Sequence, residues 1–431
     1  MSTYAETLTD KERKRARILA YFACYFGCIS EVMLDSSAII IIYISMLCNN
    51  DTIAMLATGF TGLLNVFCLL PCAAIINKIG MKRAVSIACI AGCSGFLLMA
   101  AAPFLGSARQ VAVICGCLIY CAQRSLYGAA WYPMLDAFLR PQDRGAFFGT
   151  MRYSYMILSG ILFFILGKLM GKEPPMYLMQ LVIGITGLLI LGRMYCMLKF
   201  PENPHENTTK LKFKHALGIS VRNGPLVSYS VYVCMLSLAY TSLVPLTLVY
   251  MKSYIGLPPG TVQIFSTVGI GGSITGFFCY GFLQKKLKLK KLELMVHCIF
   301  IVTAFSLALL QYDTPYFLCI SGLVYFLITF ATSTFLCNNS TELLALARPG
   351  NKTMAMAFQQ TYTGIGVAIG RTGTAMIMGA NLLAAQWEWH GATISSYQTL
   401  FLFYGVIATV LLILFPTLPA IVPKHHDYYK P

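Results

Sequence analysis

The chain has 431 residues, 57% of them hydrophobic and 11% charged, where soluble domains hold about 45–50% and about 25%. That much apolar surface must face lipid or neighbouring helices, which argues against a soluble enzyme, a nucleic-acid-binding protein or a disordered scaffold. The net charge of +16 is then read by where it falls along the chain rather than by its sum.

Twelve spans are expected, at about residues 17–47, 53–76, 84–104, 110–139, 146–170, 176–199, 225–252, 260–284, 292–312, 315–347, 353–380 and 397–417. Each is long enough to cross ~30 Å of hydrocarbon as a helix, the only open-ended structure that satisfies its own backbone in lipid. The first span is too long for a signal-peptide core and is read as retained. Of 32 Lys and Arg residues, 24 fall in the tails and in the alternate loops that share one side with them. The positive-inside rule therefore places both termini in the cytoplasm of a plasma or bacterial inner membrane. A polar stretch from 200 to 224 divides the chain into two halves, 1–199 and 225–431. Neither half holds a G-x-x-x-x-G-K-[ST] loop, so no ATP-driven engine is expected. The sixteen cysteines lie mostly within spans and contain no C-x-x-C, so they read as small packing residues with no metal or cofactor role.

A shift of 208 residues superposes two loops at once. Asn77-Lys-Ile-Gly-Met-Lys-Arg83 falls on Lys285-Lys-Leu-Lys-Leu-Lys-Lys291, and Arg140-Pro-Gln-Asp-Arg144 on Arg348-Pro-Gly-Asn-Lys352. A common register for both suggests duplicated six-helix halves, a transporter design with its site between the repeats.

At these residues the chain resembles the major facilitator superfamily over nearly its whole length. The family's 2–3 loop pattern is present with Gly80 and the basic pair Lys82 and Arg83, while Asn77 replaces its Asp and Lys78 follows. Arg124-Ser-Leu-Tyr-Gly128 resembles R-x-x-Q-G in span four. Pro141-Gln-Asp-Arg144-Gly145-Ala-Phe-Phe-Gly149 matches P-x-x-R-G-x-x-x-G. The resemblance implies an all-α polytopic fold of twelve transmembrane helices in two pseudo-symmetric six-helix bundles. It makes Asn77, Lys78, Gly80, Lys82, Arg83, Asp136, Arg140, Arg144 and Gly145 the gating-loop residues, with a charge network altered by the loss of the loop Asp. Span five lacks the proline-containing pattern of the family's drug antiporters.

Charges at membrane depth are costly, ~2.5–3.5 kcal/mol each on insertion scales. Glu31 and Asp35 lie four residues apart on one helical face; carboxylates that close repel, so one is suited to carry a coupling proton. Arg124, Arg152 and Arg371 lie deep in spans four, five and eleven, which the resemblance turns toward the cavity. Together they would hold an anion, or Arg124 would pair with Glu31 or Asp35. Trp131, Tyr132, Asn338, Asn339, Gln359 and Gln360 complete the expected substrate pocket, with interhelical glue as their competing role. Glu342, like Asp136, reads as a gate or cap residue. Arg193 is expected to snorkel to the cytoplasmic surface, and His297 to pack peripherally. Gly92-Cys-Ser-Gly95 resembles the intramembrane serine protease motif, but small-residue packing accounts for it. Gly364, Gly366, Gly370 and Gly373 suit close helix contact.

The expected function is secondary active transport by alternating access: proton-coupled uptake of a small anionic or polar organic solute, by a monomer in the lipid bilayer. The alternative is proton-driven efflux of amphipathic compounds. A non-transporting sensor and an intramembrane protease rank below both.

Overall fold

A computed structural model describes residues 7–35, 37–140, 144–201, 213–346, 352–389 and 391–414. Among these, nine apolar stretches are long enough to cross a membrane. Two of the nine, Met81–Trp131 and Pro259–Leu309, each contain two antiparallel spans. Helix Lys352–Gly379, rich in glycine, glutamine and threonine, is the further span, giving twelve.

In chain order, span 1 is Asp10–Asp35 and, past a break, Ile39–Cys48. Spans 2 and 3 are Asp51–Ile79 and Met81–Ala101. Spans 4, 5 and 6 are Arg109–Asp136, Arg144–Met170 and Met176–Leu198. A short helix, Phe213–Val221, leads into span 7, which is Gly224–Tyr240 continued by Leu243–Val249. Helix Pro259–Leu309 is two spans, 8 and 9, that meet at Lys288. Span 10 is Phe317–Leu346, span 11 Lys352–Gly379 and span 12 Ser396–Leu414. Between spans 11 and 12 stands a β-hairpin, Gln386–Trp389 paired with Ala392–Ser395.

Local sequence explains the helix starts. The Asn50 side chain accepts from the amides of Thr52 and Ile53 at 2.9 and 3.3 Å, and Asn223 accepts from Leu226 at 3.4 Å. Span 12 opens on a capping box: the Ser395 amide donates to Gln398 Oε1 at 3.0 Å and the Gln398 amide to Ser395 Oγ at 3.3 Å. The internal repeat is visible in the backbone. Gly80, in the 2–3 turn, has φ +85° and ψ 157°, and Lys288, 208 residues on, has φ +61° and ψ 167°. Both turns need the same glycine-like conformation, and only the first half supplies a glycine.

The halves meet closely at the end away from the termini. There the Gly260 amide donates to the Gly171 carbonyl at 2.8 Å, joining spans 8 and 5. Span 2 lies on span 11 so tightly that a Cβ on Gly62 would come within 2.7 Å of the Ala368 nitrogen. Gly366 and Gly370 bring span 11 against span 7, where a Cβ would stand 2.1 and 2.5 Å from the Cys234 and Leu238 carbonyl oxygens. Gly373 faces open space. Gly92 and Gly95 pack span 3 on span 4, against Gln123 and Gly116, while Ser94 is exposed and donates to the Ala91 carbonyl. That arrangement is the packing explanation of the protease-like motif.

Candidate functional site

Span 1 breaks just after Asp35, and its two acidic residues go to different partners. Asp35 pairs with Arg124 of span 4, Oδ2 to Nη2 at 2.6 Å. Glu31, one turn earlier, pairs with Arg193 of span 6, Oε1 to Nη1 at 2.7 Å. The two carboxylates share a helix, yet each faces its own guanidinium. The sequence alone leaves this open, because it cannot say which face of spans 4 and 6 turns toward span 1.

Arg193 overturns its expected snorkelling. Its side chain is only 3% exposed, its Nε donates to the Ala23 carbonyl at 3.3 Å, and its guanidinium lies over the Tyr127 ring at 4.1 Å. Room comes from Gly27, where a Cβ would fall 1.5 Å from Arg193 Nε. Snorkelling assumes a side chain free to run along the helix toward water; here a carboxylate, an aromatic face and a glycine notch hold it inside. Gly27, one turn before Glu31, was the available sequence signal.

Arg124 and Asp35 remain about a quarter exposed, at 24% and 28%, Arg124 in the middle of its helix and Asp35 at the break of span 1. Arg124 Nη1 is buried without a hydrogen-bond partner among the described residues. Arg371 adds a second cation, close enough for its charge to act on Asp35. It is 9% exposed, donating from Nε to the Thr241 carbonyl at 3.1 Å and from Nη1 to the Thr58 carbonyl at 2.8 Å. Thr241 ends the first helix of span 7 and Thr58 lies in span 2, so this one side chain ties span 11 to both halves. The Asp35, Arg124 and Arg371 charges sum to +1.

Arg152 stands apart from that group. Its Nη1 donates to Cys337 Sγ in span 10 at 3.4 Å and its guanidinium lies 5.8 Å from the Phe277 ring centre. Trp131 is 7% exposed and packs against Tyr127 and Phe200. Asn339 Oδ1 accepts from Gln359 Nε2 at 3.2 Å, and Gln359 also reaches Thr363; Gln360 is exposed. Asn338 donates to Glu293. The side chains of Tyr132, Asn77, Lys78, Asp136 and Arg144 lie outside the described residues, as do loops 202–212 and 347–351. Gly145 follows Arg144 in the first turn of span 5, and Gly80 forms the 2–3 turn, with Lys82 and Arg83 beyond it. Arg140 pairs with Asp10 at 3.4 Å, and Asp10 also pairs with Arg13.

Two buried titratable side chains lie outside the expected site. Glu293 is 3% exposed, beside Asn338 and near Lys290, which pairs with Glu342 at 2.5 Å. His297 is fully buried, not peripheral, because spans 7 and 12 close over it: Tyr232 Oη lies 3.0 Å from Nδ1, and the Ala408 carbonyl 2.8 Å from Nε2.

The fold is shared with solved transporters. A D-xylose–proton symporter superposes with a TM-score of 0.74 at 11% identity, covering 96% of this chain and 99% of its own. The nucleoside transporter NupG gives 0.67 at 14%, covering 96% and 99%. A bacterial homologue of the iron transporter ferroportin gives 0.66 at 12% in its inward-facing state, covering 94% and 98%. Its outward-facing state gives 0.59 at 9%, covering 95% and 99%. No curated protein matches the sequence. The family model for the Major Facilitator Superfamily matches residues 18–371, and with the twelve spans in two bundles this shows that the chain is a multi-pass membrane protein belonging to that superfamily.

Proposed function

We propose that this protein is a secondary active transporter that takes up a small anionic or polar organic solute together with protons, by alternating access between halves 1–199 and 225–431. The observation that carries the reading is the partly exposed Asp35–Arg124 pair beside Arg371. With Asp35 ionised, the three charges leave +1; protonating Asp35 raises this to +2 and frees Arg124 for a second carboxylate or phosphate. Proton and anion thus favour each other's binding, which is the thermodynamic content of symport.

Contacts of spans 2, 5, 8 and 11 at the end away from the termini support a state closed there. With the termini in the cytoplasm of a plasma or bacterial inner membrane, that state faces inward, in keeping with the better superposition on an inward-facing relative. Arg371, with donors to spans 2 and 7, latches the closed end. The exposed Gln360 is the polar group of span 11 best placed for a solute. The protein works as a monomer.

The test is a thermal-shift screen of the purified protein against organic acids, phosphorylated metabolites, sugars and cationic drugs, since preferential binding raises stability by mass action. Hits from the first two classes, strengthened at lower pH and lost in Arg124→Gln, are expected. Stabilisation by amphipathic drugs alone, unchanged in Arg124→Gln, would overturn the reading in favour of efflux.

A further inference from the structure

Among the described residues Glu293 forms no ion pair of its own, although the Lys290 charge acts on it, and its surroundings are specific. It lies in the first turn of span 9 after the Lys288 bend, 3% exposed, and one of its carboxyl oxygens, Oε2, accepts from Asn338 Nδ2 of span 10. Asn338 is 1% exposed and its Nδ2 also lies 3.4 Å from the Leu289 carbonyl. The remaining atoms of the two side chains, Glu293 Oε1 and Asn338 Oδ1, are both buried acceptors with no hydrogen-bond partner among the described residues. Leaving one such acceptor unmade costs about 1–3 kcal/mol.

A protonated Glu293 would turn one of these two acceptors into a donor. A carboxylic acid and a primary amide form a closed ring in which the amide N–H donates to one carboxyl oxygen and the carboxyl O–H donates to the amide oxygen. The first half of that ring is present; a proton on Oε1 would supply the donor that the second half requires. Exchanging the amide nitrogen and oxygen of Asn338 gives the same count, because an amide has one acceptor and a carboxylate has two.

The charged and titratable groups around it fit a neutral Glu293. Lys290, on the same bend, is committed to Glu342 of span 10 at 2.5 Å. Tyr232 of span 7 lies against both Glu293 and His297. His297, one turn further along span 9, faces the Ala408 carbonyl of span 12, and Tyr280 of span 8 pairs with Thr341 at 2.8 Å. Among the described residues the cluster carries two carboxylates, Glu293 and Glu342, and one committed ammonium. A second buried negative charge there has no counter-ion of its own.

We propose that Glu293 is a proton-binding site of the last six spans, holding its proton on Oε1 against Asn338 Oδ1, separate from the Asp35 site. The site takes one exchangeable proton and no metal. Taking the proton makes the ring and holds span 9 to span 10 beside the 8–9 turn; losing it breaks the ring and sets a carboxylate beside the Lys290–Glu342 pair.

Infrared difference spectra of the purified wild-type protein, recorded across a pH titration, test this. A protonated-carboxyl band is expected at neutral pH, to vanish at high pH, to be lost in Glu293→Gln and to persist in Glu342→Gln. Its persistence in Asp35→Asn separates this site from the coupling proposal, so either can fail alone. A band absent from the wild type at neutral pH overturns the proposal without any variant. So does a band that survives Glu293→Gln, or wild-type thermal stability at neutral pH that rises with sodium and not with potassium, which would make the occupant a metal cation.

Discussion

In the first six spans the two acids of span 1 each have their own arginine: Asp35 faces Arg124 and Glu31 faces Arg193. In the last six, Glu293 faces an amide and Glu342 holds a lysine at the 8–9 turn. The difference is one of charge state. A carboxylate locked to a guanidinium stays ionised until a competing anion or proton takes its place, so the first half is built to exchange partners. A carboxyl against an amide is stable when neutral, so the second half is built to keep or lose a proton without moving a cation. The two halves thus differ in how they hold an acid inside a membrane, while sharing the same turn conformation 208 residues apart.

The comparison breaks most severely at Gly27. Gly27→Val would drive a side chain into the space of the Arg193 guanidinium, and Arg193→Gln would leave Glu31 unpaired. Breaking a buried pair this way costs about 3–5 kcal/mol, so both variants should show a large fall in thermal midpoint or fail to accumulate. Near-wild-type melting of both would mean that the Glu31–Arg193 pair is dispensable.

Arg124→Gln comes next and sharpens the contrast between the pairs. Loss of a charge-assisted hydrogen bond is worth about 1.5–3 kcal/mol, or roughly 10–150-fold in affinity. Anion binding measured by titration calorimetry should weaken within that range, while the fold survives because Asp35 is part-exposed and Arg371 remains nearby. An unchanged affinity would remove Arg124 from the site.

A smaller effect, of opposite sign, belongs to the turns. Lys288 holds a backbone conformation that costs a side-chain-bearing residue about 1–3 kcal/mol. Lys288→Gly should therefore raise the thermal midpoint, and Gly80→Ala should lower it. If Lys288→Gly destabilises, the lysine side chain has a role that outweighs its backbone strain.

The smallest effect concerns the start of span 1, outside the membrane. The hydrogen bond and charge of Arg13 hold the exposed Asp10 carboxyl below the usual carboxylate range, with Arg140 acting the same way. A lowered value in the folded state means that the tether is complete above the ordinary carboxylate pKa of ~4 and is lost as pH falls through the lowered one. The hydrogen-exchange protection factor at the first helical turn, which corrects for the intrinsic pH dependence of exchange, should stay constant from neutral pH to about 4 and fall below it, and Asp10→Asn should show the lowered protection throughout.

The fold was legible because lipid imposes simple rules: long apolar helices, basic loops on one side, and a repeat whose register survives in two loops. The site was legible only in part. Asp35 and Arg124 stand out as charges within apolar runs, and pairing them needs no more than the fold. Arg193 was misread because its position near a span end matches that of a snorkelling residue; what holds it is a notch at Gly27 and a ring at Tyr127, both distant in sequence. Glu293 was missed for a related reason. It follows a run of lysines, so it reads as the edge of a loop, and its partner Asn338 lies 45 residues further on. Charge says that a partner is needed; only packing says which one.

The β-hairpin between spans 11 and 12 has a practical consequence for optical work. Two of the three tryptophans, Trp387 and Trp389, sit on it, and the Trp387 indole donates to Thr399 Oγ1 at 2.8 Å. The third, Trp131, is buried in span 4 beside Tyr127, whose ring carries the Arg193 guanidinium. Replacing the hairpin pair with phenylalanine leaves a single native indole inside the first bundle. Its emission then reports on that bundle's interior without an attached dye, and its contact with Tyr127 places the reading beside the Glu31–Arg193 pair.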